Sequence, residues 1–129
     1  MNKIQKICAL ILLNLILIAN SVFAVNVTEK GINNIGSMTA YIMSCETEGF
    51  IKLGTVSNYV ITIRKTFVKK DADAIMLVYQ KSLHSKQIYS PSKNAWFNAK
   101  VDEKSCKEVE KAIPTLEDFY KKMSKEFPN

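Results

Sequence analysis

Between Ser37 and Phe67 the apolar positions are Met38, Tyr41 and Ile42, Cys45, Gly49, Leu53, Val56, Val60, Ile63 and Phe67, with no proline among them. Steps of three and four residues put these positions on one face of an α-helix, so the pattern predicts one long amphipathic rod. Ser37 suits its N-cap. Thr55 to Ile63 also has the β-branched and aromatic content of a strand, but the apolar face carries on in register through Val60 and Ile63, which favours helix. Gly49 and Gly54 each cost a helix about 1 kcal/mol relative to alanine and are expected to mark close helix crossings, with a kink at Gly54.

Lys69 and Lys70 close this rod with positive charge at its C-terminal end. Asp71 is then expected to cap a second helix, with Asp73 in its first turn and Ala74, Ile75, Val78, Tyr79 and Leu83 as its buried side. The short connection implies antiparallel packing on the first helix. This second helix ends before Ser90-Pro91, a pair that suits an N-cap and a first helical residue. Residues 91–100 read either as the start of a helix or as a structured loop anchored by Trp96 or Phe97. Cys106, Val109 and Ile113 share a further helical face, and Pro114 is expected to break it. Thr115 with Asp118 resembles a capping pair opening a last helix through Leu116, Phe119, Tyr120 and Met123. Residues 25–36, with Gly31, Asn33, Asn34 and Gly36, read as a loose lead-in. The expected fold class is therefore all-α: a small four- to five-helix bundle, with residues 37–129 as a single helical domain.

The first 24 residues change the setting. Lys3 and Lys6 precede an apolar run from Ile7 to Ala19, and Val22-Phe23-Ala24 has the small residues of a cleavage site, the arrangement of a secretory signal peptide. The run is too short for a stable membrane span, which needs about 20 apolar residues. Cys8 leaves with the signal, and Cys45 and Cys106 remain. In an exported chain these two are read as one disulfide, worth roughly 4 kcal/mol for a loop of about 60 residues. A periplasmic or secreted location in a Gram-negative envelope follows as the expectation. The sequon Asn26-Val27-Thr28 carries little weight in such a chain.

Without Lys3 and Lys6 the 18 basic residues become 16 against 12 acidic ones, a net charge of +4. Arg64 is the sole arginine, and aromatics are not interleaved with clustered basic residues, so a nucleic-acid interface is not expected. His84 is the single histidine, among Ser, Lys and Gln, which leaves little for a triad or a histidine metal site. Glu46 and Glu48 beside Cys45 could face Asp102 and Glu103 across the disulfide as a carboxylate pair, but solvated helix flanks explain them better. No catalytic residue, metal ligand or cofactor is assigned, and the chain is read as a non-enzyme. The chemistry that remains is a surface: Tyr89, Lys93, Trp96 and Phe97 fall in the least regular segment, beside Lys86 and Lys100, and supply the aromatic and basic groups of a partner-binding patch.

With Cys45 and Cys106 paired and Tyr89-Ser90-Pro91-Ser92-Lys93 between them, the chain resembles the small helical periplasmic immunity proteins that neutralise type VI secretion amidase effectors. It departs from them in having Ser105 before Cys106, where a lysine is frequent, and in lacking a central glycine-tyrosine pair. The resemblance implies a disulfide-bearing helical inhibitor with a protein effector as partner, often working as a homodimer. A second likeness is to acid-stress periplasmic chaperones, which bind unfolded clients. Their switch relies on many carboxylates, whereas this chain is basic.

Overall fold

The computed structural model describes residues 27–126, with side chains through residue 118. The expected signal peptide, residues 1–24, lies outside the described residues. In chain order the elements are α1 (Glu29–Thr47), α2 (Thr55–Thr66), α3 (Lys69–Ser85), strands β1 (Gln87–Ser90) and β2 (Ala95–Asn98), and α4 (Glu103–Glu126). The protein is thus mostly helical, with four helices among the described residues and one small antiparallel sheet.

α1 is the central element, with α3 packed along it, β1 laid across it and α4 joined to it by a disulfide. The expected lead-in at 25–36 is corrected here, since α1 already starts at Glu29. Thr28 is its N-cap and accepts a hydrogen bond from the Gly31 N–H at 3.1 Å, with Glu29 placing negative charge in the first turn. Of the residues that argue against helix, Gly31, Asn34 and Gly36 are buried and Asn33 is half-buried. Ser37 is no cap but a buried mid-helix residue whose hydroxyl donates to the Asn34 carbonyl at 3.2 Å and accepts the Tyr89 N–H at 3.1 Å. Burial on nearly every side of α1 overrides its weak local propensity.

The long rod from Ser37 to Phe67 is also corrected. α1 stops at Thr47, and the Phe50 N–H bonds the Cys45 carbonyl while the Gly49 N–H bonds the Glu46 carbonyl, both at 3.0 Å. These are the two bonds of a Schellman motif, with Gly49 at φ 77° in the left-handed position that glycine adopts without strain. Gly54, at φ 91°, opens α2. Neither glycine marks a close helix crossing, because a Cβ at either would meet nothing within 4 Å. Leu53, placed by periodicity on the buried face, is 83% exposed in the connection. Thr55 to Ile63 is helical, and Val56, Tyr59, Ile63 and Phe67 enter the core.

Asp71 lies in the first turn of α3 rather than at its cap, which is Val68. Its carboxylate accepts the Val27 N–H at 3.2 Å and so ties the start of the described chain to α3. Residues 91–100, read as a helix start or a structured loop, instead hold a turn and strand β2: Ser90 ends β1, and Pro91 opens a turn closed by the Asn94 N–H on the Pro91 carbonyl at 3.3 Å. Asn94 takes the left-handed conformation, φ 47°, and its side chain accepts from the Tyr89 hydroxyl. Pro114 does not break α4, and Thr115 with Asp118 therefore caps nothing. Cys106, Val109, Ile113 and Leu116 continue one buried face past the proline, which is itself exposed, so packing holds both halves in line.

Candidate functional site

The hairpin sets Tyr89 opposite Trp96, Ile88 opposite Phe97, Gln87 opposite Asn98 and Ser90 opposite Ala95. Tyr89 is buried, and its ring meets that of Trp96 at a centroid distance of 5.4 Å and an angle of 57°, a favourable tilted contact. Trp96 stays 39% exposed. Phe97 points to the other face and packs on the core, and Lys93 lies exposed in the turn. Of the four residues proposed from sequence for a binding patch, Tyr89 is thus a support for Trp96, Phe97 an anchor of the hairpin, and Trp96 and Lys93 present surface.

Beside Trp96 lies an open groove of about 770 Å³. Its walls are the first turns of α1, through Glu29 and Asn33, and the last turns of α3, through Val78, Lys81 and His84, with Gln87 and Trp96 on the hairpin side. Leu77 is 62% exposed on α3. It stands four residues before Lys81 and seven before His84, spacings that put it on the same helical face as these groove residues. Sequence periodicity could not find this surface, because the groove arises where α3 turns into β1. The signal that was available is two short aromatic-rich runs, Gln87 to Ser90 and Ala95 to Asn98, separated by Pro-Ser-Lys-Asn.

The carboxylates proposed as a pair have separate roles. Asp102 caps α4: its Oδ1 accepts the Ser105 N–H at 2.7 Å and its carbonyl accepts the Cys106 N–H at 2.9 Å, while Lys100 Nζ is 3.7 Å from Oδ2. The hydrogen bonds from Ser105 first, and the charge of Lys100 after them, hold the Asp102 carboxyl below the usual aspartate range. Glu46 is buried with Oε1 lacking a hydrogen-bond partner among the described residues, and its charge adds to burial in raising the Tyr79 hydroxyl. Glu48 is exposed. No group of three or more His, Cys, Asp or Glu side chains suited to a metal ion occurs among the described residues, and no described helix is long and apolar enough to cross a membrane.

The Asp102 cap gives a pH prediction. Its folded pKa is depressed, so its contribution to stability is complete above the ordinary aspartate range and is lost as pH falls through the lower, folded value. Asp102→Asn keeps a good capping side chain but does not titrate. Melting temperatures measured across the acid range should therefore fall less steeply for Asp102→Asn than for the parent chain. Parallel acid profiles would show that the cap does not depend on ionisation.

Comparison with known protein families, with curated proteins and with solved structures gives no match to this chain.

Proposed function

We propose that this chain is an exported, non-catalytic protein-binding domain, of the inhibitor or immunity kind, that engages a protein partner through the groove beside Trp96. The observation that carries this is a half-exposed tryptophan, backed by a buried tyrosine, on the rim of a groove, with an exposed leucine on the helix that forms one of its walls. Tryptophan and tyrosine on a preformed support provide large contact area with little side-chain freedom to lose, which is why such residues dominate binding energies. The disulfide suits an oxidising compartment, where such bonds persist.

Photoreactive side chains placed in turn at Trp96, Leu77 and Ile61 test this in envelope extract of the source cells. Ile61 is 50% exposed on α2 and does not line the groove, so it reports general stickiness. One discrete adduct from Trp96 and Leu77 and none from Ile61 is the expected result. Equal labelling from all three positions, or a broad smear of clients appearing only at low pH, would replace specific binding with chaperone-like capture.

A further inference from the structure

β2 is the outer strand of the two-stranded sheet, and three of its four residues are exposed. The direction of its free backbone groups can be read from β1. In a strand the N–H and C=O of one residue point to the same side, and the side alternates from residue to residue. The Tyr89 N–H donates to Ser37 on α1, and the Gln87 carbonyl accepts from Ser82 on α3. Both residues therefore turn their backbone groups inward, and the ladder bonds fall on the Ile88–Phe97 and Ser90–Ala95 pairs. Opposite Tyr89 and Gln87, Trp96 and Asn98 must turn their N–H and C=O groups outward. Neither makes a bond to another described backbone group on that side.

The charge around this open edge is mainly positive, the carboxylate at its margin being Asp102, 3.7 Å from Lys100 Nζ. From Gln80 to Val101 the sequence holds Lys81, Lys86, Lys93 and Lys100 and no aspartate or glutamate. Lys93 marks the turn end of β2, and Lys86 and Lys100 mark the other end, all three exposed. Glu29 is the acidic residue on the far wall of the groove. Antiparallel pairing of β2 with a second copy of itself would bring Lys93 of one chain towards Lys100 of the other, and like charges across a ladder are destabilising. The same lysines attract a strand that carries carboxylates.

We propose that β2 is a docking edge for an extended, acidic segment of the partner protein, which adds to the hairpin as a third strand. Its backbone pairs with the outward groups of Trp96 and Asn98, its apolar side chains seat against the Trp96 ring and its carboxylates meet Lys93 and Lys100. This rests on the protein-binding role proposed above and specifies how the partner is held.

Trp96 is the only tryptophan in the chain, so its emission reports the site directly. The probes are a short capped peptide alternating valine and glutamate, the same peptide with lysine for glutamate, and an N-methylated form of the acidic one. The acidic peptide should shift Trp96 emission to the blue and slow amide exchange at Trp96 and Asn98, while Phe97, already in the ladder, keeps its rate. The lysine and N-methylated peptides should bind roughly tenfold more weakly or worse, as expected for the loss of charge-assisted contacts or of strand hydrogen bonds. Asn98→Pro removes one outward donor at an edge position where proline is tolerated, and should weaken the acidic peptide by a similar factor. If that variant does not fold, the N-methylated peptide decides. Equal binding of the N-methylated peptide, unchanged exchange at Trp96 and Asn98, or self-association through β2 would overturn the proposal. Crosslinking at Trp96 without strand protection would remove the third-strand mode alone and leave the binding groove standing.

Discussion

Replacing Cys45 and Cys106 together with alanine is expected to lower the free energy of unfolding by about 4 kcal/mol. The bond joins residues 61 apart in sequence and ties the last turn of α1 to the first turn of α4. Without it the unfolded chain regains the freedom of that loop, a gain that grows with the logarithm of loop length. Both cysteines are fully buried, so the substitution also removes two packed sulfurs from the core cluster. In a domain whose whole stability is about 5–15 kcal/mol, this is a large share. Urea unfolding of the parent and the double variant measures it through the shift in midpoint at constant slope. A loss below about 1 kcal/mol would mean that the unfolded chain already holds the two segments together, against the chain-entropy account.

The loosening should be felt unevenly. The groove is walled by Glu29 and Asn33 at the start of α1, whereas Cys45 lies near its end, about 18–24 Å away at about 1.5 Å per residue. Tyr89, the support of Trp96, donates its N–H to Ser37 and its hydroxyl to Asn94, and the Ser82 hydroxyl donates to the Gln87 carbonyl; none of these bonds touches the disulfide. The covalent clamp therefore sets the stability of the whole, and the polar contacts to β1 set the shape of the binding surface. This division also explains why the two were not equally visible from the sequence.

The helical class, the cysteine pairing, the helix at Thr55 to Ile63 and the apolar face of Cys106, Val109 and Ile113 were legible because each depends on composition or on spacing within one element. The errors fall where a residue's meaning depends on a distant neighbour or on a backbone conformation that spacing does not show. Asn34 and Gly36 look like helix breakers locally and Ser37 like a cap, yet α1 is helical through them because α3 and β1 cover them. Gly49 fits the spacing of a buried face and Gly54 that of a kink in one continuous helix, yet each takes a positive φ and turns the chain. Pro114 is a breaker in isolation, but the buried face of α4 resumes in phase beyond it. At the candidate site, the sequence brought Tyr89, Lys93, Trp96 and Phe97 together as a patch. Their division into support, anchor and exposed surface follows from strand alternation, which a segment taken as helix or loop does not display.

Gly36→Ala should then be strongly damaging, lowering stability by about 3 kcal/mol. A Cβ at Gly36 would lie 2.6 Å from Val78 Cβ, 2.7 Å from Val78 Cγ1 and 2.8 Å from the Ile75 carbonyl oxygen. The last of these is backbone, so relief requires α1 and α3 to separate along their whole crossing, not a change of rotamer. Val78→Ala in the same chain removes only the Cγ contact, and should restore little. Gly49→Ala is the control, since a Cβ there meets nothing within 4 Å and the cost is confined to a positive φ, about 1 kcal/mol. Thermal melts of the three variants give the order directly. Full recovery in Gly36→Ala with Val78→Ala, or a Gly36→Ala variant as stable as the parent, would show that the two helices can part without loss. Because Val78 also lines the groove, separation of α1 from α3 should reduce photolabelling from Trp96 and Leu77 before the fold is lost. That joins the close crossing of α1 and α3 at Gly36 to the width of the surface proposed to hold the partner.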